Sequence, residues 1–469
     1  MKKTTLQACV LLAFAASAPA FSEEAQGDWG GVIANTLRLT VHITKAADGG
    51  YHAKLGSPDQ SKDLFAADTV SASATRLNFS IDRFKSSYQG EWDEKQQAWV
   101  GTFTQGSPTP LVLKRLDAKG MPALVLKRPQ EEAIEKAARP YREQDVTFSN
   151  AKAGVALAGT FSVPPGAGPF PAVVLVHGSG RHKRDVDIYG HKIFAVWADH
   201  LTRQGIAVLR YDKRGSGASS GDANVATTLD YTSDAEAAVA LLRTRPEVDQ
   251  RRLGIVGHSE GGIIAPLAAS RDPSLGFIVL LAGPAVKGDK LLVEQAALIN
   301  RAGGMSEAEI AKDSRLKRAV FAALATPGSG EETKARARAV FDSAVATKDI
   351  APDEARAQLE VFASPWFRTA LAYDPAPVLR LVKQPVLAIN GALDLQVPPA
   401  MNLEAIRASL PANQANELVE IPELNHLFQT ARTGALSEYA QIEETVAPVV
   451  LKKVSDWILR QHPAKPETL

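Results

Sequence analysis

Three stretches of the chain carry residue types suited to acyl transfer. Gly257-His258-Ser259-Glu260-Gly261 sets a serine between two glycines, each two places away. A serine hydroxyl is a weak nucleophile until a base takes its proton, and it must protrude to reach a substrate carbon. The spacing supplies the protrusion, because at a sharp strand-to-helix turn bulky side chains do not fit two places before or after the serine. The apolar run Leu253 to Val256 reads as the strand before it, and Gly262-Ile263-Ile264-Ala265 opens the helix after it. Asp394 closes Asn390-Gly391-Ala392-Leu393-Asp394, just past a strand at Val386 to Ile389. His426 closes Glu423-Leu424-Asn425-His426, just past a strand at Glu417 to Ile421. The order serine, acid, histidine predicts Ser259 as nucleophile, Asp394 as acid and His426 as base. Glu423 is the reserve acid and Asp374 a weaker one.

His177-Gly178-Ser179-Gly180 follows the first buried strand, where the backbone can approach a substrate oxygen closely. The N–H groups of Ser179 and Glu260 are the expected oxyanion-hole donors, with His177 bracing the loop. A phosphate loop would need G-x-x-x-x-G-K-[ST] or G-x-G-x-x-G after a strand, and neither occurs. Arg210-Tyr211-Asp212-Lys213-Arg214-Gly215-Ser216-Gly217 reads as a fixed turn whose charges pair with neighbours, since buried ions are normally paired. His182, Asp185, Asp187 and His191 come nearest to a metal cluster but match no standard ligand spacing. No cofactor and no metal are expected.

These residues need elements to hold them. From about Gln144, strands alternate with helices, which predicts an α/β domain with a mainly parallel sheet. Ala172 to Val176 and five later apolar runs, the last of them Glu417 to Ile421, read as buried strands, and Val155 to Val163 reads as an antiparallel edge strand. Helices are expected at His191 to Arg203, at Ser233 to Arg243 and from Pro448 onward. The stretch Pro284 to Pro385 far exceeds what a crossover requires, and its helical periodicity predicts a cap insertion. Before this domain, at 24–128, short alternating runs (Thr36 to Ile43, Val70 to Ile81, Ala98 to Phe103, Pro110 to Leu116, Ala123 to Leu126) predict a small antiparallel β-domain, a sandwich or a barrel. The charged stretch 129–143 reads as a linker, leaving 144–469 as the α/β domain.

At the N-terminus, Lys2 and Lys3 precede the apolar stretch Leu6 to Ala16, and Ala18-Pro19-Ala20 offers a cleavage site after Ala20. This predicts a signal peptide over 1–20 and a periplasmic or secreted protein. The single cysteine, Cys9, falls inside it, so the mature chain would hold no disulfide or thiol nucleophile. No later segment reads as a membrane span. A formal net charge of +1, without a basic stripe, gives nucleic-acid binding no electrostatic footing.

With these motifs in place, residues from about Val146 to Gln461 resemble the bacterial α/β-hydrolases, in the neighbourhood of serine aminopeptidases, dienelactone hydrolases and acyl esterases. His177-Gly178-Ser179-Gly180 with Arg184-Asp185, the Tyr211 to Gly217 stretch, Gly257 to Gly262, Gly391 to Asp394 and Asn425-His426 carry the resemblance. Arg181 departs from it where relatives often carry proline. The resemblance implies an esterase-type serine hydrolase acting on a small-molecule acyl ester. A peptidase or thioesterase would use the same triad. A non-catalytic envelope or glycan-binding protein is the reading from another class.

Overall fold

The computed structural model describes residues 25–33, 37–58, 63–84, 86–105, 107–117, 119–122 and 127–461. The expected signal peptide and the run 123–126 lie outside them. The chain divides into two compact units, 1–124 and 125–469.

Among the described residues of the first unit, nine strands form one antiparallel sheet. They are β1 (Gly27–Ile33), β2 (Leu37–Lys45), β3 (Tyr51–Gly56), β4 (Phe65–Ala66), β5 (Thr69–Ala72), β6 (Arg76–Ile81), β7 (Ser86–Asp93), β8 (Ala98–Gln105) and β9 (Ser107–Arg115). The order is β4-β3-β2-β1-β9-β8-β7-β6-β5. β4 and β5 stand at opposite ends of that order although only Ala67 and Asp68 separate them in sequence, so the sheet must curl until its ends approach. Ala67 N–H donates to Ala53 O of β3 (2.9 Å) and Asp68 N–H to Ser80 O of β6 (2.8 Å). The outcome is barrel-like rather than a sandwich. Alternate residues point inward and bury Trp29, Phe79, Tyr88 and Trp99. Val70 to Ile81, expected as one run, is the hairpin β5–β6.

The second unit is built on eight strands: β10 (Arg142–Asn150), β11 (Val155–Val163), β12 (Phe170–Val176), β15 (Ala207–Tyr211), β16 (Val248–His258), β17 (Phe277–Leu281), β18 (Val386–Gly391) and β19 (Glu417–Ile421). A small hairpin, β13 (Asp187–Ile188) with β14 (His191–Lys192), stands apart. The sheet runs β10-β11-β15-β12-β16-β17-β18-β19, antiparallel through β11–β15 and parallel from there on. On β12 the uninterrupted apolar run serves two cores: Ala172, Val174 and Val176 face one, Val173 and Leu175 the other. Helices α2 (Ile193–Arg203) and α12 (Pro448–Arg460) cover one face. On the other lie α3 (Thr228–Arg243), α4 (Gly261–Arg271) and α11 (Pro399–Ser409). The chain steps from β12 to β15 on one side and then to β16 on the other. A parallel sheet offers its crevice at such a reversal, beyond the carboxyl ends of its strands.

Two expectations need correction. The edge strand is β10, not β11, which is paired on both sides. β10 is rich in polar residues because one of its edges faces no partner strand, and that polarity hid it. Residues 129–143 are not a linker: α1 (Pro129–Lys136) is docked into the second unit. Gln130 Oε1 accepts from Thr445 and Val446 N–H (2.6 and 2.9 Å), and Glu131 accepts from Lys192 N–H (2.8 Å) and the Thr445 hydroxyl (2.7 Å). A charged stretch reads as solvated until the fold supplies partners.

The expected insertion folds as α5 (Gly288–Ala302), α6 (Glu307–Ala325), α7 (Gly330–Ala346), α8 (Pro352–Phe362), α9 (Pro365–Ala372) and α10 (Ala376–Leu379), between β17 and β18. Ser306 with Glu309 and Ser329 with Glu332 form capping boxes that start α6 and α7. Val320, Phe321, Phe341 and Phe367 give the insertion a core of its own. Among the described residues no helix is long and apolar enough to cross a membrane.

Candidate active site

Ser259 sits between the end of β16 and the start of α4 with φ of 55°, a left-handed conformation that a non-glycine residue adopts only under constraint. The flanking glycines explain how the turn closes. A Cβ on Gly257 would lie 2.0 Å from Gly261 O, and one on Gly261 would lie 2.2 Å from Val176 O. The loop after β12 comes equally close, since a Cβ on Gly178 would meet Ser259 Cβ at 3.1 Å. Among the described residues nothing accepts a hydrogen bond from Ser179 N–H or Glu260 N–H, so both amides are free to donate to a ligand.

Asp394 and His426 are brought together in the loops after β18 and β19. Asp394 Oδ2 accepts from His426 Nδ1 at 2.8 Å, and Oδ1 accepts from Gln396 and Val397 N–H, both at 2.8 Å. The two residues are buried, 2% and 4% exposed. Asn425 bends the chain beside them, its Oδ1 accepting from Leu427 and Gln429 N–H at 3.0 Å. With Asp394 holding Nδ1–H, the Nε2 lone pair remains as the basic site. Ser259, Ser179, Glu260 and His426 line one cavity of about 390 Å³. His258, next to Ser259, also reaches His426: its Nε2 lies 2.9 Å from His426 O. The reserve acids lie elsewhere. Glu423 is exposed, and exposed Asp374 accepts from Ala376 N–H at the start of α10.

The family profile described as "Serine aminopeptidase, S33" matches residues 167–428, more than half of the 469. The chain belongs to this family. Its second unit has the α/β-hydrolase fold. "Esterase EstD" of Thermotoga maritima is 28% identical over 324 residues, 68% of each chain. An uncharacterised 31.7 kDa protein of the traX-finO intergenic region of Escherichia coli is 26% identical over 259 residues, 54% of this chain and 82% of its own. The solved structure of Est1E from Butyrivibrio proteoclasticus with ferulic acid bound is 17% identical, with a TM-score of 0.40, covering 67% of this chain and 98% of that one. Membership of the S33 family and the esterase relative support hydrolase activity.

In this S33 hydrolase the charged turn after β15 pairs as expected. Asp212 meets Arg184 (3.0 Å), Arg214 meets Asp234 (2.7 Å), and Arg210 meets Glu143 (3.0 Å) and Asp185 (2.8 Å). Lys213 is the member whose partners belong to the site, which sequence reasoning missed. Its Nζ donates to Glu260 Oε2 and to Gly178 O, both at 2.9 Å, and the residues Lys213 and Glu260 are each 3% exposed. Removing one partner of so buried a pair costs about 3–5 kcal/mol, because the other charge is stranded. Glu260 Oε1 accepts from the Thr228 hydroxyl (2.8 Å) and from Trp366 Nε1–H (2.7 Å), the latter reaching down from α9 of the insertion. The only hint of this arrangement in the sequence is a lysine amid a turn rich in Asp and Arg after a buried strand.

The possible metal cluster is dispersed. His182 Nε2 lies 2.6 Å from Ser179 O, Asp185 pairs with Arg210, and His191 meets Thr445 Oγ1 at 2.7 Å. Among the described residues no group of three metal-ligating side chains converges. His177 is buried against Phe194 and Tyr211 and so braces the loop.

Burial, with the neighbouring His426 second, pulls the His258 pKa down to about 3. In the unfolded chain an imidazole titrates near its ordinary value of about 6.5. Between these values the unfolded state binds a proton that the native state refuses, so stability is complete above about pH 6.5 and falls as pH drops through that window, by up to about 1.4 kcal/mol per pH unit for this ring. Thermal melts from pH 7.5 to 5 are expected to show this decline, and His258→Gln to flatten it. An equally steep decline in the variant would assign the acid sensitivity to other groups.

Proposed function

We propose that the protein is a carboxylic ester hydrolase working through an acyl-enzyme on Ser259. His426 Nε2 takes the hydroxyl proton as Ser259 Oγ attacks the acyl carbon, and the oxyanion is held by the N–H groups of Ser179 and Glu260. His426 then returns the proton to the departing alkoxide. Water, deprotonated by the same imidazole, releases the acid and regenerates Ser259.

The observation that favours esters over aminoacyl amides is the charge balance of the cavity. Ile263, Val286, Leu291 and Leu292 are among the residues that make its wall largely apolar, and its single carboxylate among the described residues is Glu260. That carboxylate is already engaged by Lys213, Thr228 and Trp366. A substrate ammonium would therefore enter without a counter-charge, and desolvating an unpaired charge is costly. Uncharged acyl esters fit this cavity. Against p-nitrophenyl esters of graded acyl length, aminoacyl p-nitroanilides and acyl-CoA thioesters are expected to give kcat/KM at least about 100-fold lower. Comparable turnover of a free-amine anilide would move the reading to an aminopeptidase.

A further inference from the structure

Two separate chain segments must supply the two oxyanion donors, and one ammonium touches both. The geometry points to Lys213 as a positioning residue that sets the oxyanion hole, an inference that rests on the acyl-enzyme reading above. The Gly178 carbonyl and the Ser179 N–H belong to a single peptide group. A trans peptide is planar with C=O and N–H directed oppositely, so holding the oxygen on one side aims the N–H to the other. Lys213 Nζ holds that oxygen at 2.9 Å. Glycine at 178 leaves the peptide free to rotate, so something outside the loop must choose its orientation.

The same Nζ holds Glu260 Oε2 at 2.9 Å, and Glu260 carries the second N–H at the first turn of α4. The ammonium also lies 3.9 Å from the centroid of the Tyr231 ring, and Lys213 N–H donates to His182 O at 3.0 Å, closing the far end of the glycine loop. His182 in turn contacts Ser179 O at 2.6 Å. The loop after β12 and the elbow after β16 are thus tied at a point that reacts with nothing. Lys213 acts only through the amides it orients.

The test uses the full chain and the double variant Lys213→Met/Glu260→Gln, which strands no buried charge and keeps an oxygen for Thr228 and Trp366. Because losing one oxyanion donor costs on the order of 10²–10³ in kcat, kcat on a p-nitrophenyl ester is expected to fall about 100-fold. KM should change by less than about 3-fold, and the thermal midpoint should stay near that of the parent. A role confined to packing would lower the midpoint and spare kcat per folded molecule. The rate at which Ser259 displaces fluoride from a fluorophosphonate probe should fall with kcat, since that transition state also places charge on an oxygen in the hole. A folded double variant with kcat and labelling rate within about 3-fold of the parent overturns the proposal. Should the parent turn over no ester yet label at Ser259, the ester reading fails, and the labelling ratio alone still decides the role of Lys213. A parent that neither turns over esters nor labels overturns both.

Discussion

Ser259→Ala is expected to lower kcat on a p-nitrophenyl ester by about 10⁴-fold or more and to leave the fold intact. Each tenfold loss corresponds to about 1.4 kcal/mol, so more than about 5 kcal/mol of barrier lowering is assigned to one hydroxyl. The substitution is clean for structural reasons. Alanine retains the Cβ that already occupies the strained conformation at φ of 55°. The Ser259 N–H bond to Leu281 O, at 2.9 Å, belongs to the backbone and survives. What remains is catalysis by the oxyanion donors and binding alone, which in a triad enzyme is a small residue of the whole. Steady-state turnover and a thermal melt check it together. A folded variant keeping more than about 1% of the parental rate would remove Ser259 from the nucleophile's role.

Asp394→Asn should be nearly as damaging, about 10⁴-fold in kcat/KM, although it changes one oxygen into a nitrogen. The backbone decides why. Oδ1 of Asp394 is met by two N–H donors, those of Gln396 and Val397. An asparagine cannot turn its NH₂ toward two donors, so its oxygen must stay there and its NH₂ must face His426 Nδ1. Nδ1 would then have to accept, placing the imidazole proton on Nε2, where a base for Ser259 needs a lone pair. The fold should persist, because both backbone bonds are kept. Kinetics at neutral pH on the purified variant test it, and a loss below about 10-fold would mean that another group orients the imidazole.

Much of this site is written locally. The elbow is legible because the glycine spacing around Ser259 falls within five residues, although the close approach that demands glycine at 261 is to Val176 O, far away in the chain. The strand that carries Asp394 is an apolar run buried on both faces, whereas β19, before His426, is an edge strand with two glutamates and no buried residue. The insertion announces itself by length and helical period, and its helices start at serine capping boxes. Other features carried the wrong signal or none. β10 is polar because it is an edge. β1 is glycine-rich, which is poor strand composition, yet seven of its residues pair with β2. α1 looks solvated because Gln130 and Glu131 find their partners more than 300 residues away, at Thr445.

The sequence by itself determined the chemistry available: a serine at a strand-to-helix turn, an acid and a histidine in the required order, and the strands that hold them. Those properties depend on periodicity and short-range sterics, which act over a few residues. Tertiary structure alone decided which charges meet. That Lys213 faces Gly178 O and Glu260, that Trp366 completes Glu260, and that the cavity's carboxylate at Glu260 is thereby engaged all follow from the packing of segments far apart in the chain. An ion pair has no spacing rule of its own, and no local pattern could have announced it.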